Sequence, residues 1–284
     1  MLALVVLAVA ADAPALNEVT ERLDALAVSL PAYAVTIRSQ TSARYGDDDT
    51  LLDTEAVETF ERNAAGHYRL ERIGQAVRLG TLPSVIPWVS RKACDGLATY
   101  EQGGRTFAGP PGVSDPGPAG SRGPDDLMLG FGGRPIAQRL RDYGPDRLTI
   151  RRQLDGTLEL IGPIFDRKWS RATGDDRLLQ YRSRFLLDPN WGDYPVRKIS
   201  ELRDPGTASD WIIHNEFETN ALRRLDNGAV VPISVVQTSY DIEWPDDPSA
   251  PPSQGQYDRM VQHSLDDWDS SPAFAEGHFR LATE

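Results

Sequence analysis

The feature that most restricts the fold of this chain is a repeated segment: apolar residues at every second position, closed by an Asp-Gly or Asn-Gly turn. In AYAVTIRSQ, Tyr33, Val35 and Ile37 fall on one face and Thr36 and Arg38 on the other, which is the period of a half-buried strand. AVETFERN and HYRLERI are separated by Ala-Ala-Gly, with Tyr68 and Leu70 alternating with His67, Arg69 and Glu71. Asp95-Gly96 joins RKAC to LATYEQ, Asp155-Gly156 joins LTIRRQL to TLELIG, and Asp226-Asn227-Gly228 leads into AVVPISVVQTSY. Such pairs supply the positive φ that a tight hairpin turn needs, so an antiparallel meander is expected. The longest segments lie in the second half. In RLLQYRSRFLLD, Leu179, Tyr181, Phe185 and Leu187 share a face opposite Gln180, Arg182 and Arg184; in WIIHNEFET, Trp211, Ile213 and Phe217 oppose His214 and Glu216. A sheet with one wet face needs an apolar cover on the other.

Helical spacing appears in fewer places. Leu16, Val19, Leu23, Leu26 and Leu30 predict one amphipathic helix ending before Pro31. DDLMLGFGGRPIAQRLRDYG, residues 125–144, predicts one interrupted helix or two short ones, broken by the glycines and Pro135. DRMVQHSLDDW is expected to be a helix ended by Asp266-Asp267-Trp268-Asp269, with a final short strand near GHFRLAT. A Gly/Pro-rich stretch over 103–124 and a Pro-rich one over 245–255 read as loops. Neither divides two self-contained patterns, so residues 14–284 are expected to form one domain. Residues 1–13, MLALVVLAVAADA, contain an apolar run too short to span a bilayer. With Ala8-Val9-Ala10 before the cut they fit a secretory signal peptide, though without the usual basic start. The expected location is therefore the periplasm or the exterior, with no transmembrane segment.

Charge and motifs exclude more than they assign. The net charge of −12 opposes a nucleic-acid partner. The single Cys94 rules out an intrachain disulfide and is expected to pack on the sheet. The sequence has no nucleophile elbow, zinc-protease helix, phosphate loop, dinucleotide fingerprint or CxxC pair. The four histidines, His67, His214, His263 and His278, are scattered without ligand spacing. Clusters such as Asp47-Asp48-Asp49 and Asp246-Asp247 lack the calcium-loop pattern and read as solvated charge. No catalytic residue, metal site or cofactor is expected, and the chain is read as a non-enzyme.

The order of parts nevertheless resembles the LolA/LolB-like superfamily of envelope lipoprotein carriers and its mycobacterial lipid-binding relatives. The stretches that carry the resemblance are FERNAAGHYRLERI, ACDGLATYEQ and FLLDPNWGDYPVRKISEL, over a span from residue 16 to 244. The resemblance implies an α+β fold: a strongly curved, mostly antiparallel, open half-barrel with helices packed on its concave face. It implies a hydrophobic ligand wall of Tyr68, Leu70, Tyr100, Tyr181, Phe185, Trp211, Ile213 and Phe217. It also implies a lid, residues 125–143 with the first helix, whose apolar residues are Leu127, Leu129 and Phe131. The partner so implied is a lipid or lipoprotein acyl chain. The alternatives are an envelope scaffold with a permanently filled core, contacting an envelope protein, and a hydrolase whose site the spacing hides.

Overall fold

The computed structural model describes residues 14–45, 50–78, 84–104, 112–114, 127, 129–131, 134–170, 176–207, 209–245, 247 and 250–281. Helix α1 (Leu16–Val28) leads into five strands in meander, β1 (Tyr33–Tyr45), β2 (Thr50–Arg62), β3 (Tyr68–Arg78), β4 (Ser84–Cys94) and β5 (Thr99–Gly104), with a short edge strand β6 (Gly112–Ser114). A minimal hairpin, β7 (Gly130–Phe131) and β8 (Arg134–Pro135), precedes helix α2 (Ile136–Tyr143). The chain then returns to the sheet through β9 (Thr149–Arg152), β10 (Leu158–Ile161), β11 (Phe165–Ser170), β12 (Asp176–Asp188), β13 (Tyr194–Arg203), β14 (Ile212–Arg224), β15 (Val230–Glu243) and β16 (Ser253–Asp269).

The turns form as their residues dictate. Asn63, Asp95, Asp155 and Asn227 each accept the backbone N–H two residues on through the side-chain Oδ1. Gly66, Gly96, Gly156 and Gly228 follow in the left-handed region, at φ between 83° and 88°. An Asx side chain and a left-handed glycine thus close all four of these hairpins.

Fourteen strands make one antiparallel sheet in the order β6-β5-β4-β3-β2-β1-β16-β15-β14-β13-β12-β10-β9, with β11 also on β12. Among the described residues the two edges, β6 and β9, do not pair, so the sheet is open. It has two wings joined where β1 pairs with β16. The register of β1 to β5 runs unbroken, whereas the pairings from β12 to β16, and of β16 with β1, carry bulges. Bulges bend and twist strands, so the C-terminal wing and the seam carry the curvature. The expected curved, open α+β sheet is the fold observed.

Two local expectations are corrected. Residues 258–268 are not helical but belong to β16, a strand of 17 residues. The buried Val261 and Leu265 lie four apart, a spacing that satisfies period two as well as 3.6, and pairing with β1 and β15 decides the outcome. Among the described residues of the lid segment, Leu127 is helical, Gly130 and Phe131 pair with Arg134 and Pro135 as the β7–β8 hairpin, and Ile136–Tyr143 forms α2, so the break falls at the glycines and Pro135. The segment near GHFRLAT is a turn around Gly277 (φ 76°) instead of a strand, yet it buries Phe279 and Leu281. The expected signal peptide lies outside the described residues, as does most of the 103–124 loop.

Crowding between β2 and β3 makes Gly74 sensitive. A Cβ there would stand 2.5 Å from the Glu55 carbonyl oxygen and 2.7 Å from the Ala56 Cα, both backbone atoms. Gly74→Ala should therefore lower the unfolding free energy by about 2 kcal/mol in urea titration. Gly103→Ala, where the nearest atom is a serine Cβ at 3.3 Å, should stay within roughly 0.5 kcal/mol.

Candidate functional site

The inner face of the sheet is the one on which Tyr33, Val35 and Ile37 of β1 lie. Cross-strand partners share a face, so the register extends it to Phe60, Tyr68 and Cys94 on one wing and to Leu265 on β16. Val231, Val235 and Tyr194 pack into the same cluster. Over the C-terminal wing the two helices seal this face. Val19 and Leu23 of α1 and Ile136, Ala137, Leu140 and Tyr143 of α2 pack on Leu158, Leu160, Phe185 and Leu187. Arg141 ties α2 to Asp24 of α1. Arg22 of α1 holds Asp193 at 2.6 Å. Asp193 is buried and left-handed (φ 63°), so its carboxylate depends on that guanidinium.

Between the wings the cover is different. Leu127 and Leu129 pack against the seam cluster, and Ile136 N donates to the Leu129 carbonyl at 2.8 Å. Beneath this segment stands Lys198 of β13, opposite Phe185 and Phe217 and only 1% exposed. Its Nζ donates to the carbonyls of Gly130 (3.0 Å) and Leu127 (3.3 Å) and lies 4.7 Å from the centre of the Phe217 ring. A buried ammonium is tolerable only with such partners. Lys198 thus fastens the 127–130 backbone to the sheet by polar bonds inside an otherwise greasy layer.

Further along the inner face the floor becomes polar. One cross-strand row runs His263, Ser39, Ala56, Gly74, Trp88; the next runs Leu265, Ile37, Glu58, Arg72, Ser90. Ser39 Oγ lies 2.8 Å from His263 Nδ1. Burial, with the positive charges of Arg72 and Arg259, pulls the His263 pKa down to about 4. Burial raises the Glu58 carboxyl against the opposing pull of Arg72, whose Nε is 3.1 Å away. The Arg72 guanidinium lies over the Trp88 ring, 5.4 Å from its centre. A serine beside an imidazole is half of a nucleophilic site. Here β1 is paired on both edges, to Ala56 and to His263 at the level of Ser39, so its amides are committed to the ladder and offer no oxyanion hole. Among the described residues no group of three His, Cys, Asp or Glu side chains is placed to hold a metal.

Of the eight wall positions, Tyr68, Leu70, Tyr181, Phe185 and Phe217 stand on the inner face, by their register with Cys94, Phe60, Leu202 and Lys198. Three do not join them. Tyr100 alternates with Thr99, the partner of Cys94, and its hydroxyl turns to Asp95 at 3.3 Å. A bulge leaves His214 unpaired between Asn215 and Ile213, and this reverses the face of everything before it. Ile213 therefore lies opposite Glu201, and Trp211 is sandwiched outside by Arg182 (4.1 Å) and Arg203 (4.7 Å). Of the residues expected to form the lid, Leu127 and Leu129 pack against the seam cluster, whereas the Phe131 side chain lies outside the described residues. A recess of about 310 Å³ opens elsewhere, among Gln40, Ser42, Asp53, Glu55, Met260 and Gln262 on the outer face. Sequence reasoning missed Lys198, Glu58 and Arg72. Their only signal was a charged residue at the parity of apolar neighbours.

No family model and no curated protein matches this chain. Among solved structures, its layout is similar to a DUF1329 family protein from Desulfovibrio piger (7% identity, 93% of this chain and 95% of that one, TM-score 0.45). It is also similar to a putative outer membrane lipoprotein-sorting protein domain from Vibrio parahaemolyticus (8%, 93% and 97%, TM-score 0.44). A third is a LolA superfamily protein from Nitrosomonas europaea (7%, 95% and 99%, TM-score 0.33).

The low pKa of His263 has a defined consequence for stability. The unfolded chain takes up this proton near pH 6.5, and the folded protein only near pH 4. The associated stability is present above pH 6.5 and is lost as the pH falls to about 4. Glu58, raised in the fold, acts in the opposite sense, so the two are separated by mutation. Urea unfolding of the wild type should weaken by a few kcal/mol across this window, and His263→Gln should remove most of that slope.

Proposed function

We propose that this protein is an exported, non-catalytic binder of an acyl chain or similar apolar ligand, taken onto the inner face of the sheet when the 127–131 segment lifts. The observation that carries the reading is Lys198: the cover beside Leu127 and Leu129 is held by two hydrogen bonds to carbonyls, a fastening that can open without unpicking the helical layer. The floor beneath the seam is apolar, with Phe60, Tyr68, Val235 and Leu265. A 16-carbon chain buried there gains on the order of 12 kcal/mol gross, less the apolar contacts that the cover gives up. The N-terminal apolar run supports export, and among the described residues no helix is long and apolar enough to cross a membrane.

A second reading, an envelope scaffold with a permanently filled interior, draws on the helical layer over the C-terminal wing. There Ile136, Leu140, Leu158, Leu160, Phe185 and Leu187 have no exposure at all. The two readings differ in what the protein carries. Native mass spectrometry of protein purified from its own envelope should find a bound amphiphile. Lys198→Met, which keeps the apolar stem but loses the donors, should take up a fluorescent fatty acid several-fold faster than the wild type. Empty protein that refuses the probe in both forms leaves the scaffold standing and removes the carrier.

A further inference from the structure

The polar patch on the inner face lies outside the apolar floor that the proposed function uses, and it is costly to keep. Glu58 and His263 are both largely withdrawn from water, and Ser39 is 3% exposed. Burying such groups on a sheet face disfavours folding unless each finds a partner. One donor has none: the Nε of Arg72 is buried and makes no hydrogen bond, since Glu58 Oε1, though 3.1 Å away, is out of line. The guanidinium lies over Trp88 and the Arg72 side chain as a whole is about one-third exposed, so the patch is open to solvent at Arg72.

The position is informative. Ile37 and Leu265 of the apolar seam lie in the same cross-strand row as Glu58 and Arg72. A ligand whose tail lies along Ile37, Phe60 and Leu265 brings its head to Arg72. The local charges then select the head. A carboxylate or phosphate meets Arg72 but also the Glu58 carboxyl, and an ammonium meets the reverse. An uncharged hydroxyl can donate to Glu58 and accept from Arg72 at once. Trp88 gives such a head an apolar wall.

We infer that the Glu58–Arg72 pair, with Ser39, Trp88 and His263 around it, is a head-group site for an uncharged, hydroxyl-bearing amphiphile such as a monoacylglycerol. This rests on the acyl-binding reading and specifies which amphiphile is preferred. The test uses the full chain loaded with a fluorescent fatty acid, displaced in turn by 1-oleoylglycerol, oleate and 1-oleoyl-lysophosphatidate, which share one tail. The glycerol ester should displace the probe at about tenfold lower concentration than either anion, the worth of one or two well-placed hydrogen bonds. Glu58→Gln and Arg72→Gln, each checked for a wild-type thermal transition, should both weaken displacement by the ester, while Glu58→Gln strengthens displacement by oleate by removing the opposing charge and Arg72→Gln weakens it. Glu58→Gln is nearly isosteric and keeps the comparison available should Arg72→Gln fail to fold. Equal displacement by all three ligands, a preference for an anion, or a preference that survives Glu58→Gln overturns the head-group site while acyl binding stands. A protein that takes up no probe and none of the three lipids removes acyl binding itself, and the site with it.

Discussion

Strands β1 and β16 come from opposite ends of the chain, and their pairing, from Ala34 opposite Asp269 to Ala43 opposite Arg259, turns two meanders into one sheet. Closing a loop of that length costs on the order of 5 kcal/mol in chain entropy, and the seam offsets it by burying Tyr33, Val35, Ile37 and Leu265 together. The end of β16 and the residues after it reinforce it. Trp268 packs on Tyr33 with ring centres 5.6 Å apart and donates to the Pro232 carbonyl at 3.2 Å. His278 reaches Glu61 at 2.7 Å, and Arg280 reaches Asp95 at 2.5 Å. Without the seam, neither wing would have an opposite number and the interior between them would not exist.

The two wings treat that interior differently. Bulges in the C-terminal wing curve it around α1 and α2, and the interlocked side chains there leave no exposure at Leu158, Leu160 or Phe185. The N-terminal wing keeps a regular register. Its inner face is covered by side chains of its own, the Arg72 guanidinium across Trp88 among them. Between them lies the segment fastened by Lys198. Dense apolar packing resists opening because every atom loses its neighbours at once. A few hydrogen bonds to an ammonium can be exchanged for others, which is why the proposed movement is placed at the 127–131 segment and not at α1 and α2.

Buried charge is the recurring departure from a simple core. Lys198, Asp193, Glu201 and Glu216 are all nearly inaccessible. Glu201 and Glu216 sit on the outer face, where Arg182, Arg184 and Arg197 pair with them across strands. Ladders of this kind shield the sheet surface with guanidinium stems. On the inner face, where most neighbours are apolar, Lys198 and the Glu58–Arg72 pair mark places where something other than packing decided the residue.

Much of the fold was legible in the sequence because its signals are local. An Asx side chain and a glycine close a hairpin wherever they occur, and alternation along Tyr33–Ile37 or Leu179–Leu187 needs only the strand itself to be read. The helix at Leu16–Val28 was equally plain. What stayed hidden depends on partners distant in sequence. Val261 and Leu265 fit a helix until β1 and β15 claim them. Trp211 and Ile213 share parity with Phe217 until a single extra residue at His214 turns them outward. Lys198, Glu58 and Arg72 look like ordinary strand charges until the register sets them on the inner face. The amino-acid sequence by itself determined the strands, the turns and the need for an apolar cover, because backbone conformation and alternation are short-range properties. Which side chains face the interior only the tertiary structure decided, because register, bulges and burial belong to pairs of strands and not to one.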